Sequence, residues 1–74
     1  MQGGMMRRID VSDNRRTAES VLAVESEEIP HVITELAKAK RLSTVMRNLN
    51  RLVQDPADRE LGQRAVRHLG FPDG

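Results

Sequence analysis

Residues 26–53 read SEEIPHVITELAKAKRLSTVMRNLNRLV, and how this run is divided decides the fold. It contains no glycine and is the densest run of large aliphatic side chains in the chain. Ser26 predicts a helix start, because its hydroxyl can accept a hydrogen bond from an orphan backbone N–H. Glu27 and Glu28 fall in the first turn, where the positive end of the helix dipole favours acids. Pro30 is early enough to be tolerated there, since first-turn N–H groups have no intrahelical partner. Ile29, Val32, Ile33 and Leu36 follow at helical spacing, and so do Leu42, Val45, Met46, Leu49, Leu52 and Val53.

The two stripes do not line up. At about 100° per residue, the step from Leu36 to Leu42 leaves the two side chains roughly 120° apart. A straight helix would bury one face in its first half and a different face in its second. One solution is a break near 40–43, with Ser43 capping a second helix. The other is a continuous helix that meets different neighbours along its length, as one shared between subunits does. The break is the preferred reading, although no Gly or Pro forces it.

Working outward, the last element carries the clearest signals. Asp55 reads as an N-cap and Pro56 as the first helical residue of a helix over 56–69. Ala57, Leu61, Ala65 and Leu69 share one face, Gly70 stops the helix, and Phe71 is placed to fold back onto its last turn. On the other side, residues 13–25 read as a short helix starting at Asp13, with Ala18, Val21, Leu22 and Glu25 on one face. The competing reading is a strand over 20–25 pairing with residues 8–11 as a hairpin, since a short apolar run cannot be assigned by periodicity alone. Residues 1–12 are expected to be flexible or a weak strand, and residues 71–74 a frayed tail. The expected fold is all-α: a small bundle of two or three helices within residues 13–70. Its alternative is α+β with an N-terminal β-hairpin.

Composition limits what such a chain can do. It has 74 residues, no cysteine, and Phe71 as its single aromatic residue. A chain this short buries only about 60% of its unfolded surface, and no disulfide or thiolate metal site compensates. That predicts self-association, with a homodimer the expected form, or a protein partner. No apolar run approaches the roughly 20 residues needed to cross a bilayer. The N-terminal residues lack the apolar segment of a secretory signal, so a cytoplasmic protein is expected. The net charge of +1 excludes a polyanion binder by composition alone. The charges are nevertheless blocked: Glu25, Glu27, Glu28 and Glu35 are followed by Lys38, Lys40, Arg41, Arg47 and Arg51, and then by Asp55, Asp58 and Glu60.

Catalytic and cofactor signatures are absent. No glycine-rich phosphate loop occurs. His31 lies four residues from both Glu27 and Glu35, but one imidazole with one carboxylate does not complete a metal site. His68 reads as a helix-end cation. A non-enzymatic chain without cofactor or metal is expected, with catalytic residues assigned to none.

One segment resembles a known motif. Leu36-Ala37-Lys38-Ala39-Lys40-Arg41-Leu42-Ser43-Thr44-Val45-Met46, within residues 36–51, is similar to the turn of a helix-turn-helix, in which a helix ending Leu-Ala leads through a short turn to Leu-Ser. Arg41 stands where that motif has its glycine, and the following apolar positions come about two residues early. The resemblance implies that Lys40, Arg47, Asn48 and Arg51 would face a DNA groove. The preferred functional reading is instead a small regulatory or adaptor protein. It would bind another protein through the aliphatic helix face of Leu42, Val45, Leu49 and Leu52.

Overall fold

The division of residues 26–53 falls at Lys40. In the computed structural model, which describes residues 9–71, Lys40 has a φ of 60°, in the left-handed region. The Lys40 N–H bonds back to the Ala37 carbonyl at 3.1 Å, and the Arg41 N–H to the Leu36 carbonyl at 2.9 Å. These two bonds satisfy the last carbonyls of a helix that ends in a Schellman turn. Helix α2 (Ile29–Lys38) stops here and α3 (Leu42–Gln54) begins. A lysine does what a glycine usually does, at a cost of about 1–2 kcal/mol for the left-handed conformation. The change of direction settles the mismatch of the stripes. Ile29, Val32 and Leu36 from α2 and Val45, Leu49 and Leu52 from α3 all enter one buried cluster.

Two caps differ from expectation. Ser26 opens a single 3-10 turn (Ser26–Glu28) ahead of α2, and no side chain caps α2 itself. Ser43 lies inside α3, which starts one residue earlier and is also without a side-chain cap.

Two more helices complete the chain: α1 (Asn14–Leu22) and α4 (Arg59–His68). The bundle therefore has four helices among the described residues rather than two or three. Residues 14–22 make a helix of their own, and the central run makes two. Val21 and Leu22 are helical, and no strand occurs among the described residues, so the hairpin alternative is not realised. The segment before α4 begins later than expected. Asp55 Oδ1 accepts from the Ala57 N–H at 3.0 Å, but this bond closes a turn over residues 56–58 and does not cap α4, whose N-cap position is Asp58 and which has no side-chain cap. At the far end Gly70 has a φ of 96°, and the Phe71 N–H returns to the Val66 carbonyl at 3.2 Å.

Helix α3 is the centre of the bundle, packed against both α1 and α4, which also touch each other; α2 rests on α3 more lightly. The α3–α4 approach is very close. A Cβ built on Gly62 would lie 2.8 Å from the Val53 backbone nitrogen and 2.9 Å from Leu52 Cβ. Glycine costs an α-helix interior about 1 kcal/mol relative to alanine. Here it allows two backbones to touch.

A buried polar cluster fixes the segment before α1. Asn48 Nδ2 donates to the Val11 carbonyl at 3.2 Å and to Thr17 Oγ1 at 3.0 Å. Thr17 Oγ1 donates to the Asp10 carbonyl at 2.6 Å, and Ser20 Oγ accepts from the Asp10 N–H at 3.1 Å. Ile9 is buried as a result. The Ser12 hydroxyl, and after it the Ser12 N–H, donate to the Asp10 carboxylate and hold its pKa below the ordinary carboxylate range. The remainder of the expected flexible start, residues 1–8, and of the expected tail, residues 72–74, lies outside the described residues.

Candidate functional site

A hollow lies between the outer flank of α3 and the C-terminal end of α4. Its volume is about 670 Å3, and it is lined by Ser43, Met46, Arg47, Asn50, Val53, Val66 and Phe71. The α3 residues recur at intervals of three or four, so they form one flank of the helix. Met46 and Val53 sit at the edge of the apolar stripe whose centre, Val45 and Leu49, is fully buried. The other wall is made by the end of α4. Gly70 turns the chain back, and the Phe71 bond to Val66 brings those two residues together over the hollow. Phe71 is 37% exposed and is the one exposed large hydrophobic side chain among the described residues. The floor is therefore apolar, and one edge carries the hydroxyl of Ser43, the amide of Asn50 and the guanidinium of Arg47.

The corner between the two helices is held firmly. Arg59 Nε donates to the Val53 carbonyl at 3.1 Å, near the end of α3. Arg15 of α1 pairs with Asp58 at 3.1 Å. His68 faces away from the groove: its Nε2 donates to the Val24 carbonyl at 2.5 Å and ties α4 to the chain after α1. His68 lies in the last turn of α4, as expected, and its ring makes this specific tertiary bond as well.

The side chains anticipated as functional divide sharply. Val45, Leu49 and Leu52 are buried and Leu42 is half-buried, all within the chain's own core. They leave no aliphatic face of that composition on the surface. Lys40, Arg47 and Arg51 are exposed, with Arg47 and Arg51 one turn apart on α3. Asn48 is the correction within that group. It is buried and both its N–H donors are used inside the fold, so it cannot reach a groove of DNA. Among the described residues no three His, Asp or Glu side chains gather closely enough to hold a metal ion. No helix among them is long and apolar enough to cross a membrane.

The groove itself was not anticipated. The only trace in the sequence is that Met46 and Val53 lie roughly 80–100° around the helix from Val45, at the margin of the stripe. Nothing local places Val66 and Phe71 beside them, because that depends on how α4 packs. The chain matches no protein-family model, no curated protein and no solved structure.

Proposed function

We propose that this chain is a non-enzymatic protein-interaction module, of the regulatory or adaptor kind, and that the α3–α4 groove is its contact surface. The observation that carries this is the position of Phe71. Among the described residues the fold hides the other large apolar side chains wholly or partly, yet leaves this ring at the surface over an apolar trough. Aromatic and methionine side chains with a neighbouring arginine are the residues enriched at the centres of protein interfaces. The surface differs from the one expected from sequence, since the stripe of Leu42, Val45, Leu49 and Leu52 serves the core.

A second reading is DNA binding through α3. It is favoured by the exposed face of that helix, where Ser43, Arg47, Asn50, Arg51 and Gln54 are all base-reading side-chain types. The turn between α2 and α3 is also as short as that of a helix-turn-helix. Against it, α2 barely packs on α3, Asn48 is withdrawn, and the net charge is only +1.

A photo-crosslinking side chain at position 71, with position 31 on α2 as control, tests the proposal in cells. The captured protein is identified and its complex rebuilt from purified components. The proposal expects a complex formed by the parent chain and abolished by Val53→Asp with the fold intact. Capture only at position 31, or only of nucleic acid, would refute it.

A further inference from the structure

We infer that the occupant of the α3–α4 groove is an amphipathic helix whose apolar face is bordered by Asp or Glu side chains. This rests on reading the groove as a protein-docking surface and adds the chemistry of what docks.

The sign of the charge comes first. Arg47 is the one charged side chain among the described lining residues, and Arg51 stands exposed one turn further along α3. No acidic residue occurs between Glu35 and Asp55, so this wall of the groove has no carboxylate of its own. An approaching carboxylate meets attraction there and an approaching ammonium meets repulsion. Such charges at the rim of an apolar contact set orientation and partner choice. Ser43 and Asn50 add a hydroxyl and an amide beside Arg47, able to bond to a carboxylate or to the polar edge of a helix.

The length and openness of the groove come next. The α3 wall runs from Ser43 to Val53, which is about 15 Å at the rise of an α-helix. A partner helix laid alongside would need roughly three turns, with apolar anchors at i, i+3 or i+4, and i+7. Met46, Val53, Val66 and Phe71 are the counterparts of such anchors. The trough is partly open to solvent. A small molecule, which binds tightly when most of its surface is enclosed, would remain largely wet there.

The chain's own parts fit poorly. Residues 1–8 end in Arg7 and Arg8, which carry the same sign as Arg47. A second copy docked groove to groove would bring the same lining, with Arg47 and no carboxylate among its described residues, to the α3 wall. The exposed positions of the other two helices offer no row of large apolar side chains: α1 presents Arg15, Arg16 and Glu19, and α2 presents only the small Pro30 and Ala37 among His31, Thr34 and Lys38, with Ile33 half-buried.

The test uses three probes against the whole chain: a 16-residue helical peptide with a leucine stripe flanked by Glu, its twin with Lys replacing every Glu, and a duplex DNA of similar length. Binding is followed by fluorescence anisotropy at low and at physiological salt. The inference expects the Glu peptide to bind about tenfold more tightly than the Lys twin at low salt, since each exposed charge pair contributes little and several act together. Arg47→Glu should abolish or reverse that preference. Arg16→Gln, which changes an exposed cation on α1, should leave it unchanged. Equal binding of both peptides, lost on Val53→Asp, would overturn the acidic partner and leave the docking groove standing. No binding of either peptide at millimolar concentration would also overturn the inference. Preferential binding of the duplex with a steep salt dependence would overturn it together with the proposed function.

Discussion

Replacing Gly62 by alanine sets two rules of protein stability against each other. Helix propensity alone says that Gly62→Ala, inside α4, should stabilise the fold by about 1 kcal/mol. The packing says the opposite. The added methyl would stand 2.8 Å from the Val53 nitrogen, 2.9 Å from Leu52 Cβ and 2.9 Å from Val53 Cγ2. Two of those atoms belong to the α3 backbone or are fixed directly to it, so no rotamer change relieves the contact. The helices must separate, and the buried side chains of α3 lose close packing against Ala65 and Val66. Overpacking of this kind costs typically 1–3 kcal/mol, and a clash with backbone belongs at the upper end. Subtracting the propensity gain leaves a net loss of about 2 kcal/mol. In so small a domain each 1 kcal/mol moves Tm by about 4–8 °C, so a fall of about 10 °C is expected. Urea denaturation and a thermal melt of both proteins measure it. A variant as stable as the parent, or more stable, would refute the close α3–α4 approach on which the groove depends.

Other substitutions probe the remaining joints. Lys40→Gly should raise stability by about 1 kcal/mol, because glycine takes the left-handed φ without a steric penalty; a destabilised variant in a denaturant titration would mean that α2 does not end there. Asn48→Ala should cost about 1–3 kcal/mol by leaving the Val11 carbonyl without its donor, and hydrogen exchange should show residues 9–13 loosening first; protection unchanged in that segment would contradict the bonding described. Leu49→Ala removes a fully buried side chain and should cost on the order of 2–5 kcal/mol, with no change of oligomeric state in sedimentation; a change in association with little loss of stability would place Leu49 at an interface instead.

Much of the fold was legible in the sequence, and the parts that were not share a cause. The stripes of α2 and α3 are visible because helical periodicity is local. Their misalignment already demands either a break or a second partner. The residue that makes the break was hidden, because Lys40 adopts a conformation that composition assigns to glycine. The helix stop at Gly70 and the fold-back of Phe71 were readable, since both follow from a glycine with a positive φ. Gly62 carried the opposite message. In sequence it is a mid-helix weakness, and only the neighbouring backbone reveals why it is there. Asn48 misled for a similar reason. A polar side chain between apolar ones reads as exposed unless its buried partners, Val11 and Thr17, are known. The groove was the least legible feature of all, because its walls come from α3 and from the end of α4.

The account turns on whether the α3–α4 trough is where a partner sits. A titration of the uniformly 15N-labelled chain with the leucine-striped acidic peptide, followed by amide chemical shifts, reads this residue by residue. The largest changes should fall on Met46, Arg47, Asn50, Val53, Val66 and Phe71, with Arg16, Glu19, His31 and Thr34 unmoved. Changes centred on α1 or α2, or a titration that moves no amide of the groove, would contradict it.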